Sequence, residues 1–329
     1  MRRVFFVFLI FTSALYSVSA QAVFQRSFIK MGSAFDLTLV AANQLEANQL
    51  FEQAIAEIDR IERLISSWDQ ASETSQVNQM AGKEAVKVTK ELYDLVFRAK
   101  AIAQLTDGAF DPTYASVDKI WTFNGQDIEQ PKPEIISASV AKIGFDKIVF
   151  DPIESSLYLP LQGMKIGFGA IGKGYAADRV KSLLQKQGVT AGIVNASGDM
   201  SAWGVQPNGK PWQVGLVNPK SKGTVFAWFP IKNQAVVTSG DYEKFILING
   251  KRYGHIINPK TGFPSQGVIS CTVFAPKAEL ADALSTALFV MGVETGIDFI
   301  NQLDQVEAIM IDDAGKVYTS KNIKTDETT

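Results

Sequence analysis

The sequence predicts a single α+β domain in which helices and short strands are mixed without regular alternation. Four segments have the apolar spacing of helices, and several short β-rich runs lie between the third and the fourth. This order favours an α+β fold over a doubly wound parallel sheet, in which strands and helices alternate. No low-complexity linker or repeat divides the 329 residues, and 46% apolar with 20% charged residues is typical of a globular core.

Apolar periodicity and glycine stop signals define the individual elements. The first helix has an apolar stripe from Leu50 to Ile65, and the second covers 89–105 before Asp107-Gly108. The third follows Gly174 and ends at Gly188, a favourable residue just beyond a helix. The fourth covers 278–291. The strands are predicted at 24–31, 35–40, 193–195, 212–217, 225–231, 245–248 and 268–274.

The charge balance and two scarce residue types exclude several classes of protein. The net charge is −2 and the basic residues form no run, which argues against a nucleic-acid partner or an anionic membrane partner. Cys271 is the only cysteine, so an internal disulfide, an iron–sulfur centre and a zinc ribbon are excluded. His255 is the only histidine, which excludes two-histidine metal sites. Any metal must therefore be a hard cation bound mainly by oxygen.

The amino-terminal segment has the order of a secretory signal. Arg2 and Arg3 precede an apolar run, and small residues follow up to Ala20. The alternative is a buried first helix. We predict a signal peptide at 1–20, a functional domain at 24–320 and a polar, loose tail at 321–329. Because no cysteine stands near the cleavage point, a lipid anchor is not expected, and the mature protein is predicted to be exported to the periplasm as a soluble protein.

A glycine-rich loop in the middle of the chain is a candidate phosphate site. Residues 167–172 fit the dinucleotide fingerprint G-x-G-x-x-G, and with Lys173 they approach a phosphate loop. Each match has a defect: Gly174 lacks the hydroxyl that a phosphate loop needs, and Asp199 lies late for the ribose-binding acid. The alternative is close packing of a helix on a strand through glycine. A loop that faces phosphate without belonging to either named motif is the favoured interpretation.

The fourth helix carries a polar face among apolar neighbours. Asp282, Ser285 and Thr286 stand at i, i+3 and i+4, so they share one face of a helix that is otherwise apolar enough to be buried. A buried carboxylate needs a positive partner. No Lys or Arg occupies a neighbouring helical position, so the partner is either a distant basic residue or a bound cation such as Mg²⁺. In the ion-pair alternative the two hydroxyls bond back to the preceding turn. The spacing leaves both interpretations open.

Several separate strings together resemble the ApbE-type FAD:protein FMN transferases, over about 31–312. The helix from Leu280 to Thr286 completes the set. The strings are Thr106-Asp107-Gly108-Ala109-Phe110-Asp111-Pro112, Gly169-Ala170-Ile171-Gly172-Lys173-Gly174-Tyr175-Ala176, Thr238-Ser239-Gly240-Asp241-Tyr242 and His255-Ile256-Ile257-Asn258-Pro259-Lys260-Thr261-Gly262.

The resemblance implies a T-fold-like single domain with FAD as substrate and one magnesium ion. FMN would pass from FAD to a threonine or serine of an acceptor protein, with release of AMP, and the acceptor is expected to be a subunit of a membrane electron-transfer complex. His255 would accept the proton of the incoming hydroxyl; its alternative role is structural. The implied metal ligands are Asp282, Ser285, Thr286 and the main-chain oxygen of Ala170. The implied flavin and nucleotide contacts are Met31, Trp68, Ala109, Phe110, Asp111, Lys173 and Ile256.

Two positions depart from the family pattern, and two other functions remain open. Members often have aspartate where Gly167 and Asn258 stand; asparagine can still cap the turn before Pro259. The first alternative function is FAD hydrolysis to FMN and AMP on the same machinery. The second is a non-catalytic flavin-binding protein, against which the predicted metal face argues.

Overall fold

The computed structural model describes residues 21–117, 120–217, 219, 224–241 and 245–323. The predicted signal peptide lies outside these residues, as do Tyr242 and the end of the predicted tail, 324–329. Among the described helices, none has both the length and the apolar composition required to cross a bilayer.

The described residues form seven α-helices and sixteen strands. The helices are α1 (Gln44–Ile65), α2 (Glu73–Gln79), α3 (Lys90–Leu105), α4 (Pro133–Val140), α5 (Gly172–Lys186), α6 (Ala278–Met291) and α7 (Val293–Ile300). The strands are β1 (Ala22–Lys30), β2 (Ser33–Ala41), β3 (Val86–Lys87), β4 (Asp127–Ile128), β5 (Val149–Asp151), β6 (Ser156–Tyr158), β7 (Gly192–Ala196), β8 (Asp199–Trp203), β9 (Trp212–Val217), β10 (Val225–Ile231), β11 (Ala235–Gly240), β12 (Phe245–Ile248), β13 (Lys251–Gly254), β14 (Val268–Ala275), β15 (Glu307–Asp312) and β16 (Val317–Thr319).

An eight-stranded antiparallel sheet is the centre of the fold. Its strand order is β1-β2-β7-β8-β11-β14-β15-β16. The remaining strands form the pair β10-β9 and the small sheets β13-β12-β4 and β3-β6-β5. In the main sheet Asp199 of β8 is paired with Val237 of β11. Because alternate residues of a strand face the same side, Asp199, Val237 and Ser239 face one side of the sheet.

Helices cover that side of the sheet and a strand pair covers the other. Apolar residues of α1, α5, α6 and α7 pack with those of the sheet in the largest core cluster. On the opposite side, Trp212, Val214 and Ile231 of β9 and β10 pack against Val236 and Phe274. A second large cluster joins α1, α3, α5 and α6. Helix α6 contributes to both large clusters, which confirms that it is a buried helix.

Caps explain where the main helices begin. The side chain of Asn43 accepts the N–H of Glu46 at 3.0 Å at the start of α1, and an asparagine at this position satisfies one of the otherwise unpaired amides. Helix α6 has no cap from its own preceding residue. The carboxylate of Asp178 on α5 accepts the Glu279 N–H instead, at 3.0 Å. A tertiary contact therefore caps the helix that carries the predicted metal ligands.

The α+β prediction is confirmed, and the predicted helices and strands match the observed ones to within one or two residues at most ends. The sequence interpretation missed α2, α4 and α7, which have at most eight residues each. It also missed nine strands, β3, β4, β5, β6, β8, β11, β13, β15 and β16. The first residues of the predicted tail are held in place. The Lys321 N–H donates to Asn301 Oδ1 at 2.8 Å, and Ile323 packs beside β9 and β10.

Candidate active site

The glycine-rich loop ends where α5 crosses α6. A Cβ on Gly174 would lie 2.8 Å from the Asp282 Cβ and would also collide with the Ala278 carbonyl, so glycine is required for the two helices to approach. A Cβ on Gly172 would lie 2.9 Å from the Ile65 side chain of α1. These glycines therefore serve close helix–helix packing, which differs from the helix–strand packing that the sequence interpretation offered as its alternative. The Gly174 N–H donates to Asp282 Oδ2 at 3.0 Å.

Two buried carboxylates and one lysine form the centre of the site. Asp282 is 4% exposed and Asp199 is 1% exposed. The Lys173 Nζ lies 2.8 Å from Asp199 Oδ2. Burial raises the pKa of Asp282 well above its usual value, and the adjacent Asp199 carboxylate, which is within hydrogen-bond reach, raises it further; Lys173 and the Gly174 N–H act in the opposite direction. With both carboxylates ionised this trio has a net charge of −1, which a bound cation would neutralise.

The hydroxyls of α6 lie beside this trio. Ser285 is fully buried; its hydroxyl donates to the Asp282 carbonyl at 2.9 Å and lies 2.7 Å from the Ser239 Oγ. Thr286 is half-buried in the same turn, and Ala170 is half-buried two residues before α5. The back-bonding that the sequence analysis considered for Ser285 is thus present, and its oxygen still has a lone pair to offer.

This set of donors fits a magnesium ion. Mg²⁺ prefers a few carboxylate, hydroxyl and carbonyl oxygens and completes its shell with water or phosphate. Among the residues that the structure describes, no group of three or more His, Cys, Asp and Glu side chains could hold a metal. A cation here would therefore depend on the carboxylate pair together with the hydroxyls of Ser285 and Thr286 and the Ala170 carbonyl. The distant basic residue of the ion-pair interpretation is also present: the Lys173 Nζ lies 2.8 Å from Asp199 Oδ2, and its charge lowers the pKa of Asp282.

Of two further predicted flavin residues, Met31 lies close to the start of α5 and Trp68 lies in an exposed loop. Met31 is in the β1–β2 turn with a left-handed φ of 51°. Its N–H donates to Glu62 Oε2 at 3.1 Å, and its Cε lies 3.8 Å from the position of a Cβ on Gly172. Trp68, in the loop after α1, is 81% exposed. An indole this exposed is accessible to a planar ligand.

The segment 109–111 is buried. Phe110 is only 2% exposed, so its ring has no free face for a flavin in this structure, and Ala109 is also buried. The Asp111 carboxylate accepts the Thr113 N–H at 2.7 Å and the Phe145 N–H at 3.1 Å, and burial raises its pKa. The structure thus gives Asp111 the role of organising the following turn. A contact from this segment to a ligand would come from its main chain.

The histidine segment approaches the same end of the sheet through β11. His255 follows β13, and its ring centroid lies 6.4 Å from that of Phe123 in an edge-on arrangement. A Cβ on Gly254 would lie 2.7 Å from the Asp241 Cβ, which places Asp241 beside the histidine segment. Ser239, two residues earlier, contacts Ser285 of α6. One short stretch of chain therefore contacts both the polar face of α6 and the segment that carries His255.

The two departures from the family pattern have local explanations. Asn258 Oδ1 accepts the Lys260 N–H at 2.9 Å, which confirms that asparagine caps this turn. At the other position, a Cβ on Gly167 would lie 2.8 Å from the Ala115 Cβ. An aspartate would therefore not fit at 167 unless Ala115 moved. Ile256, the remaining predicted contact, is buried in the largest core cluster.

Asp199 and Tyr114 are site residues whose position the sequence interpretation missed. Asp199 was considered only as the acid of a dinucleotide fingerprint, although its place after the tight turn at Ser197-Gly198 could have drawn attention to it. No sequence pattern indicates Tyr114, because it meets Gly169 of the glycine-rich loop only in the folded protein. A buried carboxylate pair with a lysine and hydroxyls, at the start of a helix in an α+β fold, is the kind of site that enzymes use to bind phosphorylated substrates with a hard cation.

Comparisons with known proteins identify the family. The ApbE family model matches residues 31–310. The FAD:protein FMN transferase of Klebsiella pneumoniae (strain 342) is 30% identical over 296 residues, which are 89% of this chain and 90% of that protein. The protein of the same name from Treponema pallidum (strain Nichols) is 30% identical over 293 residues, 84% of this chain and 81% of that protein. The crystal structure of the ApbE protein from Thermotoga maritima superposes with a TM-score of 0.84 at 30% identity, over 91% of this chain and 97% of that one. This chain belongs to the ApbE family.

Proposed function

We propose that this protein is a magnesium-dependent FAD:protein FMN transferase that moves FMN from FAD to a threonine or serine hydroxyl of an acceptor protein and releases AMP. The observation that carries the proposal is the trio of Lys173, Asp199 and Asp282 at the start of α5. Family membership and the names of the relatives support the substrate and the type of reaction.

The reaction is a substitution at one phosphorus atom of the FAD pyrophosphate. The acceptor oxygen forms a bond to the phosphorus of the FMN half, the bond from that phosphorus to the bridging oxygen breaks, and AMP leaves with the bridging oxygen. A bound Mg²⁺ would supply charge neutralisation on the phosphate oxygens. Asp199, Asp282, the hydroxyls of Ser285 and Thr286 and the Ala170 carbonyl would hold it.

The residues of the chain supply orientation and proton transfer. Lys173, held by Asp199, places a positive charge beside the phosphates. His255 removes the proton of the acceptor hydroxyl, since an imidazole can accept a proton near neutral pH. Trp68 covers one face of the flavin with its exposed indole.

Mass spectrometry of a candidate acceptor tests this proposal. The acceptor is incubated with the protein, FAD and Mg²⁺, and AMP is measured in the same mixture by liquid chromatography. We expect the acceptor to gain one FMN on a threonine or serine for each AMP released, and no gain when Mg²⁺ is chelated. Free FMN and AMP without a modified acceptor would instead indicate FAD hydrolysis. Tight FAD binding without AMP would indicate a flavin-binding protein.

The charged, apolar and small-residue order of the first twenty residues supports export to the periplasm. An acceptor that is a subunit of a membrane electron-transfer complex, with a domain on the same side, would be consistent with that location. We expect the mature chain to begin at Gln21 or Val23 when the envelope fraction is analysed by amino-terminal sequencing. An intact Met1 on a membrane-held protein would contradict the cleaved signal.

Replacement of Trp68 by alanine is expected to weaken FAD binding by about 1–3 kcal/mol, the usual contribution of an aromatic side chain stacked on a base. Isothermal titration with FAD measures the change. Trp228→Ala is the matched control, because Trp228 is also exposed, at 64%, but lies on β10 across the sheet from the helices. Equal FAD affinities for the Trp68→Ala variant and the wild type would mean that Trp68 does not contact the flavin.

A further inference from the structure

We infer that Tyr114 is a further substrate-binding residue, whose phenolic hydroxyl donates a hydrogen bond to a phosphate oxygen of the bound nucleotide. The inference rests on the proposed function for the identity of the nucleotide. The observations behind it are the position of the hydroxyl, the space that glycines leave for it and the rigidity of the turn that carries it.

The hydroxyl of Tyr114 is directed at the glycine-rich loop. Burial raises the pKa of the phenol, the Gly169 N–H, which donates to the phenolic oxygen, lowers it, and the nearby negative charge of Asp282 raises it. Because the oxygen accepts from Gly169, its own hydrogen is left for another acceptor. A donor placed between a main-chain amide and the carboxylate pair suits an anionic oxygen.

Glycines in the loop leave space for the phenol of Tyr114. A Cβ on Gly169 would collide with the Tyr114 hydroxyl, and a Cβ on Gly167 would lie 3.8 Å from the same oxygen. The Gly167 position is also closed by the Ala115 Cβ at 2.8 Å. Where the family pattern leads one to expect an aspartate, this chain has a glycine, and the polar group beside the loop comes from the neighbouring turn.

The turn that carries Tyr114 is held on several sides. Its first residue, Pro112, accepts the Gly167 N–H at 2.8 Å. Its last residue, Ser116, accepts the Lys165 N–H at 2.8 Å. The buried Asp111 carboxylate accepts the Thr113 N–H at 2.7 Å. These bonds fix the turn to the loop, so the phenol is positioned before any ligand binds and loses little freedom on binding.

Replacement of Tyr114 by phenylalanine removes the hydroxyl and keeps the ring. We measure the dissociation constants of FAD and of riboflavin, which has no phosphate, with and without Mg²⁺. The affinity for FAD is expected to fall by about 10-fold or more, the usual effect of losing a hydrogen bond to a charged group, under both conditions. Riboflavin affinity and the melting temperature of the free protein are expected to stay as in the wild type. Tyr93→Phe, at another buried tyrosine, is the control and should change neither ligand's affinity.

Three results would overturn the inference. FAD affinity within twofold of the wild type would mean that the hydroxyl contacts no ligand. An equal loss for riboflavin would indicate a structural role, and a loss for FAD seen only with Mg²⁺ would mean that Tyr114 acts through Asp282. The binding assay uses no acceptor protein and is therefore independent of FMN transfer. A wild-type protein that fails to transfer FMN would count against the proposed function, whereas the role of Tyr114 would still be decided by the FAD and riboflavin affinities.

A second variant checks the geometry independently. With phenylalanine at 114, the nearest ring atom to a Cβ on Gly169 would be the carbon Cζ, at 3.6 Å in the present structure, which is an ordinary contact. Gly169→Ala is therefore expected to lower FAD affinity in the wild type and to have no further effect in the Tyr114→Phe background. Equal losses in the two backgrounds would contradict the contact between Gly169 and the hydroxyl.

Discussion

An Asp282→Asn variant is expected to fold as stably as the wild type and to transfer FMN about 10²–10³-fold more slowly. A rate loss of this size is usual when one group that stabilises charge in the transition state is removed. Asparagine keeps the shape of the side chain and still has an oxygen that can accept the Gly174 N–H, which donates to Asp282 at 3.0 Å. It removes one of two adjacent buried carboxylates, whose mutual repulsion contributes to the raised pKa of Asp282. The variant loses the attraction between Lys173 and Asp282 together with the repulsion between Asp282 and Asp199, and Lys173 keeps its ion pair with Asp199.

Thermal melts separate this expectation from a purely structural role. If Asp282 holds the cation, adding Mg²⁺ in the presence of FAD should raise the melting temperature of the wild type above its value with FAD alone, and this further rise should be absent in the variant, because only the wild type gains binding energy from the cation. If Asp282 served instead as the counter-ion of a buried base, its loss would lower the free energy of unfolding by about 3–5 kcal/mol. A variant that melts far lower and keeps Mg²⁺-dependent transfer would refute the metal assignment.

Asp178→Asn is a matched control for Asp282. Asp178 is an aspartate on α5, and its carboxylate accepts the Ser201 hydroxyl at 2.8 Å and the Glu279 N–H at 3.0 Å. Its replacement should lower stability modestly, since it caps α6, while the shift of the melting temperature with Mg²⁺ and FAD is kept. The contrast between the two aspartates would assign the ligand effect to the carboxylate pair.

His255→Ala is expected to bind FAD normally and to transfer FMN about 10²–10⁴-fold more slowly, as loss of a general base commonly does. The reason is that the acceptor hydroxyl must lose its proton as its oxygen bonds to phosphorus. Because His255 is the only histidine of the chain, the acidic limb of the pH–rate profile should differ between the variant and the wild type. Added imidazole should restore part of the rate, which a structural role for the ring would not predict.

Transfer at near wild-type speed by His255→Ala would show that the proton leaves by another route. Asp241 is the next candidate, since it lies beside Gly254, the residue before the histidine. Burial raises the pKa of its carboxyl, and Arg252 acts in the opposite direction. Asp241→Asn, tested in parallel, decides between the two groups by comparison of their pH–rate profiles.

Local sequence determined the long helices and the type of chemistry. The apolar composition of α6 determined that it is buried, and the spacing of Asp282, Ser285 and Thr286 determined that the three share a face, because a helix repeats every 3.6 residues. The caps at Asn43 and Asn258 are likewise local, since each side chain bonds to an amide two or three residues further on. Short helices such as α2, with seven residues, were missed because they are too short to show the apolar periodicity of a helix.

Tertiary structure decided which groups meet. Gly174 and Asp282 are separated by 108 positions in the chain and are joined by a hydrogen bond, and no spacing rule predicts such a pair. The partner of Lys173 is decided by the pairing of β8 with β11, which turns Asp199 towards the helices. The burial of Phe110 and the placement of Tyr114 on the glycine-rich loop depend in the same way on packing between distant segments. Local sequence specifies backbone conformation and the exposed face of each element, whereas the geometry of a site depends on contacts that exist only after those elements have packed.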